Sequence, residues 1–144
     1  MKKVLIALAL FVSIASYATP PEINEKVLKA FKETFTNAKE VSWDEFDDYY
    51  AVKFRDTEID TRVKYDKEGN IIQTTRYYFE QQLPPFIYAK IKKRYTDKKI
   101  FGVTEVRSET ELTYYIVLED EKNWTTIKSD AFGSFQLHEK FKKA

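Results

Sequence analysis

The sequence contains no cysteine, and that absence excludes disulfides, thiolate metal sites, a cysteine nucleophile and a lipid-modified cysteine near the N-terminus. A chain without disulfides must be held by its core alone. Only three glycines occur in 144 residues, so there is no glycine-rich phosphate loop. Histidine occurs once, as His138. A general base needs an orienting partner and a nucleophile within reach, so a lone histidine on a strand reads as a surface residue. None of Ser42, Ser108, Ser129 and Ser134 stands in a nucleophile-elbow or Ser-x-x-Lys context. The reading is therefore of a non-enzyme, with no catalytic residue, no metal and no cofactor. Excess charge is missing too: 24 Lys and Arg face 23 Asp and Glu, which leaves no basic surplus for nucleic acid or an anionic membrane.

The one long apolar run stands at the N-terminus. Lys2 and Lys3 precede an apolar stretch from Val4 to Val12, and small residues follow as far as Ser16-Tyr17-Ala18. This three-part pattern predicts a secretory signal peptide over residues 1–18, cleaved after Ala18. The run falls short of the roughly 20 apolar residues that a spanning helix requires. Removal of the leader leaves 126 residues with 22 basic and 23 acidic side chains, a size near that of one ordinary domain. The expected location is the periplasm, or outside the cell after release, with no membrane insertion once the leader is gone.

After the leader, Ile23, Val27, Leu28, Phe31 and Phe35 recur at helical spacing. Thr19 and Glu22 have capping-box spacing, Pro20-Pro21 suits a first turn, and Asn37 is a plausible stop. The period then falls to two. Val41 and Trp43, then Tyr50, Val52 and Phe54, then Ile59, Thr61, Val63 and Tyr65, then a run from Ile71 to about Phe79 read as four antiparallel strands. Turn formers at 44–48, 56–57 and 66–70 separate them.

The second half follows the same order. Pro84-Pro85 stand 64 residues after Pro20-Pro21, Ile87, Ile91 and Tyr95 form another stripe, and "VKYDKEGNI" at 63–71 is answered by "IKSDAFGSF" at 127–135. The offset falls to 60 at "KIFGV", which predicts a second helix about one turn shorter. The expectation is an α+β fold of two tandem repeats, residues 19–82 and 83–144, each a helix followed by a four-stranded antiparallel sheet. The two sheets would be continuous or side by side.

Phe35, Asn37, Ala38, Val41, Trp43, Tyr50, Val52, Phe54, Tyr65, Asp66, Gly69 and Asn70 make a pattern that resembles the PepSY-like, beta-lactamase-inhibitor-like family of exported bacterial proteins. The resemblance covers most of residues 26–78. In the second half Tyr95-Thr96-Asp97-Lys98 replaces the Phe-x-Asn-Ala element, and no tryptophan answers to Trp43. The resemblance implies helix-plus-sheet units, an envelope location and a non-catalytic binding or inhibitory role. Its motif consists mainly of core and turn residues, so it speaks for fold more than for function.

The acidic groups at 44–48 and 119–121 read as hairpin tips, because "DKEGNIIQTTRY" lacks the alternating oxygen ligands of a calcium loop. The aromatic content of the strands is more informative. If Val52, Phe54, Val63, Tyr65, Ile116, Leu118, Ile127 and Phe135 face the helices, alternation sends Tyr49, Arg62, Lys64, Arg76, Tyr78, Tyr115, Trp124, Lys128, Gln136 and His138 to the opposite face. Tyr, Trp and Arg are enriched at binding hot spots, although they also suit exposed strands for reasons of propensity and stem packing. From this set Tyr49, Arg62, Arg76, Tyr78, Tyr115, Trp124 and His138 are the candidate partner-binding residues, and the expected partner is an envelope protein or peptide. The alternative is a periplasmic small-ligand carrier or sensor, which requires a large, mainly apolar pocket.

Overall fold

The computed structural model describes residues 21–144, so the expected leader lies outside the described residues. The elements run α1 (Glu25–Thr34), β1 (Lys39–Glu45), β2 (Tyr49–Asp56), β3 (Ile59–Asp66), β4 (Ile71–Tyr78), a 3-10 turn (Glu80–Gln82), α2 (Pro85–Arg94), β5 (Lys99–Ser108), β6 (Leu112–Glu119), β7 (Asn123–Asp130) and β8 (Phe135–Lys142).

The expected pair of helix-plus-four-strand repeats is corrected here. The eight strands of the described residues form one antiparallel sheet in sequence order, and those residues are mostly sheet with two short helices. The strand that should have closed a first sheet, β4, instead pairs with β5 from Gln73↔Ser108 to Tyr78↔Val103. Continuity has a physical reason, since two separate sheets would leave two further strand edges with unpaired backbone groups.

Strand register places both helices on the same face. Phe54 is opposite Thr61, Thr61 opposite Arg76, Arg76 opposite Glu105, and Glu105 opposite Tyr114. Helix α1 buries Val27 and Phe31 against Tyr50, Val52, Phe54, Val63 and Tyr65. Helix α2 buries Ile87 and Ile91 against Val103, Tyr114, Ile116, Leu118 and Ile127. Burying each such side chain stabilises by about 1.5–3 kcal/mol. In the first cluster the Phe31 ring meets Trp43 and Phe54 edge to face, with its centroid 5.2 Å from each.

Helix α1 is capped by Asn24, whose Oδ1 accepts from the Val27 amide at 3.0 Å; the expected cap, Thr19, lies outside the described residues. The helices are equal, ten residues each, so the second is not shorter. Hairpin turns dock onto both. Asn24 Nδ2 donates to the Lys67 carbonyl at 2.7 Å, and Lys90 Nζ donates to the Phe132 carbonyl at 3.0 Å. Gly69 (φ 92°) closes the β3–β4 turn, and a Cβ there would lie 3.2 Å from the Lys26 carbonyl oxygen. In this turn the Asp66 carboxylate accepts from the amides of Glu68 and Asn70 and from the Asn70 side chain. The Asn70 bonds lead in holding its pKa below the ordinary carboxylate range.

Candidate partner-binding face

The face away from the helices carries no covering element among the described residues, and its side chains follow from alternation broken by bulges. Strand β2 presents Tyr49, Ala51, Lys53 and Arg55, while β3 presents Asp60, Arg62, Lys64 and Asp66. Tyr49 stacks on Phe46 with centroids 4.4 Å apart and planes 13° apart. The Lys64 ammonium lies 5.3 Å from the centre of the Tyr49 ring.

Two expected members of this face are on the other side. The β3–β4 register slips between Tyr65↔Ile71 and Lys64↔Gln73, which makes Ile72 an extra residue. A one-residue bulge reverses the facing of everything after it. Arg76 and Tyr78 therefore point to the helices, and Tyr77 takes the open position that alternation without the bulge would give to its neighbours. Tyr78 is buried, and its hydroxyl donates to Glu105 Oε2 at 2.7 Å. Arg76 Nη1 lies 3.5 Å from Glu105 Oε1. Burial, followed by the bond to Glu105, pushes the Tyr78 phenol well above its ordinary pKa.

At the other end of the sheet a second bulge, between Ile100 and Gly102, turns Phe101 outward. Its ring meets Trp124 edge on, with centroids 4.7 Å apart, and Trp124 stands directly opposite Phe141 on β8. Lys143 Nζ lies 4.7 Å from the centre of the indole. Phe101 and Phe141 remain 56% and 58% exposed, so three aromatic side chains share an uncovered corner. A third bulge, between Thr126 and Ile127, makes His138 the extra residue of β8. Its imidazole lies 5.1 Å from the Tyr115 ring, edge to face. Tyr115 shares a cross-sheet row with Tyr77, Thr104, Lys128 and Gln136.

The structure thus gathers Tyr115, Trp124 and His138 at the β5–β8 end of the open face, and Tyr49 and Arg62 at the β1–β4 end. Sequence reasoning missed Phe46, Tyr77, Phe101 and Phe141. Phe101 was legible only through Gly102, a strand glycine of the kind that marks a bulge.

The Arg62 corner is a concavity of about 270 Å³ lined by Glu40, Lys53, Phe54, Arg55, Asp60, Thr61, Arg62 and Tyr77. On the helix side, a crevice of about 300 Å³ lies among Phe35, Asp56, Thr57, Ile59, Thr61, Thr74 and Arg76. Among the described residues no group of three or more His, Asp and Glu side chains is placed to hold a metal ion, and no helix is long and apolar enough to cross a membrane.

One antiparallel sheet with two helices on one face and an uncovered aromatic face on the other defines the structural class. No protein-family profile matches the sequence, and no curated protein matches it. Solved structures do match in fold. A BLIP-like protein from Bacteroides fragilis NCTC 9343 aligns with TM-score 0.64 and 18% identity over 88% of this chain and 89% of its own. A DUF2874 family protein from Bacteroides ovatus ATCC 8483 aligns with TM-score 0.63 and 20% identity over 87% and 89%. A Bacteroides eggerthii DSM 20697 protein, described as a candidate periplasmic protein, aligns with TM-score 0.63 and 17% identity over 87% and 90%. The chain is similar in fold to these BLIP-like and DUF2874 structures. The similarity carries the beta-lactamase-inhibitor-like part of the sequence resemblance and does not extend to PepSY proteins in particular.

Proposed function

We propose that this chain is an exported, non-enzymatic module that binds a protein or peptide partner in the cell envelope through the open face of its sheet. The observation that carries the reading is the uncovered corner of Phe101, Trp124 and Phe141, continued by the Tyr115–His138 pair. Large rigid rings left in water across adjacent strands are costly for a face that binds nothing. They supply contact area at little cost in side-chain entropy. Export is supported by the leader pattern of residues 1–18 and by the periplasmic description of one fold neighbour. Restraint of an envelope hydrolase is the particular role that the BLIP-like likeness brings forward.

A small-ligand carrier is the weaker reading, because the helix-side crevice holds only about 300 Å³ and is mixed in lining, with Phe35 and Ile59 beside Asp56, Thr57, Thr61, Thr74 and Arg76, whereas ligand pockets are mainly apolar. The test is capture of partners from an envelope extract of the host. It compares the native chain with a variant in which Tyr49, Tyr115 and Trp124 are serine. A partner held by the native chain and lost by the folded variant supports the reading, and a partner held equally by both overturns it.

A further inference from the structure

We propose that Arg62 anchors a carboxylate-binding subsite at the β1–β4 corner of the open face, one that receives an acidic group of the bound protein partner. This inference rests on the open-face reading and specifies what one corner of that face recognises.

Arg62 stands directly opposite Lys53 on β2 and Thr75 on β4. Two cations paired across neighbouring strands repel each other, and an anion beside them relieves that repulsion. The local acids are already engaged. Arg55 donates to Asp60 at 2.9 Å and to Glu40 at 3.4 Å, and Lys53 lies 3.2 Å from Asp44. Arg62 has no acidic side chain within ion-pair distance among the described residues, and its Nε is buried without an acceptor. An unsatisfied buried donor is costly, and more so on a charged group. Arg62 also lines the concavity of about 270 Å³ on this face, where an incoming group would meet it.

The chemistry of the walls selects the ligand. A guanidinium presents a planar fork that matches a carboxylate in bidentate fashion. Lys53 is paired with Asp44, and Arg55 with Glu40 and Asp60, so among the described residues Arg62 brings a single unpaired positive charge to the concavity, and a monoanionic carboxylate matches it in charge. An Asp or Glu side chain and a C-terminal carboxylate share this chemistry.

The experiment follows the Nε–Hε resonances of the five arginines in the native chain during titration with small probes. N-acetylglutamic acid α-amide offers only a side-chain carboxylate, N-acetylglutamine only a terminal one, N-acetylglutamine amide no charge, and inorganic phosphate, at a pH about one unit above its second ionisation, a dianion. The expected result is a saturable shift of the Arg62 resonance with one or both carboxylates, the tighter of the two naming the source. The neutral amide should give no shift, and phosphate should bind more weakly. Arg62→Gln should weaken carboxylate binding about tenfold, the value of roughly one charge-assisted hydrogen bond, when followed at the Lys53 and Tyr77 amides. Arg62→Lys, which keeps the charge but lacks the fork, should show the same direction of loss. No saturable shift, phosphate binding as tight as carboxylate, or unchanged binding in both variants overturns the subsite. The titration needs no partner protein, so its failure is distinct from failure of the capture experiment.

Discussion

The Tyr78 hydroxyl donates to Glu105 Oε2 at 2.7 Å, joining β4 to β5 from within the apolar cluster under α2. Arg76, directly opposite Glu105, stands 3.5 Å from the other carboxylate oxygen. The carboxylate is thus enclosed by a donor and a cation on the helix-facing side of the central strand pair. Glu105 itself is only 8% exposed, and a buried charge is tolerated where it is paired and hydrogen-bonded. Tyr78→Phe removes the donor and leaves the acceptor in place. The expected loss is about 1–3 kcal/mol, read from the midpoint of urea unfolding. A variant as stable as the native chain would remove this bond from the account of the sheet's continuity.

Tyr65 gives the opposite result at neutral pH. Its side chain is fully buried, and its hydroxyl has no hydrogen-bond partner among the described residues. Burial pushes its pKa up to about 12. Tyr65→Phe deletes an unsatisfied polar group without opening a cavity, so its stability should equal or exceed that of the native chain at pH 7, by up to about 1–3 kcal/mol. The alkaline dependence follows from the same shift. A tyrosine is neutral when protonated, so a raised folded-state value means that the folded chain holds a proton the unfolded chain releases. That contribution is complete below the unfolded value of about 10 and is lost as pH rises from there through the folded value. The native chain should therefore lose stability across this window, and Tyr65→Phe should lose less. Thermal midpoints measured between neutral pH and pH 12 check both statements, and identical alkaline slopes would contradict the second.

Gly69 couples a turn to a helix. Its φ of 92° and the 3.2 Å separation between a would-be Cβ and the Lys26 carbonyl oxygen make the position strained for any other L-residue. Gly69→Ala should destabilise by about 1–3 kcal/mol, and the exposed Thr34, at the far end of α1, gives a comparison site where Thr34→Ala should change little. Unfolding midpoints of the two variants decide the matter, and equal values would show that the turn does not need glycine.

Much of the chain was legible because local chemistry governs it. The stripe of Val27 and Phe31, the alternation of Tyr50, Val52 and Phe54, and the turns at Asp66 and Asp130 all formed where their patterns put them. A strand's two faces follow from alternation, so Tyr49, Arg62, Tyr115, Trp124 and His138 were placed on the open face from residue order alone. Arg76 and Tyr78 were not, because Ile72 adds one residue to β4 opposite Tyr65 and reverses the count. Phe101 escaped notice for the same reason at Ile100–Gly102. A bulge depends on which residue pairs with which across two strands, and that pairing is not written in either strand by itself.

The sequence by itself determined the order of helices and strands, the two apolar stripes, the turn chemistry, and the absence of thiol and glycine-loop chemistry. Each of these depends on residues within a few positions of one another. The tertiary structure decided that β4 pairs with β5 to make one sheet instead of two repeats, that α1 and α2 share a face, and that Glu105 is enclosed while Arg62 has no acid beside it among the described residues. Those outcomes depend on contacts between residues far apart in the chain, where satisfying strand edges and burying apolar area outweigh any local preference.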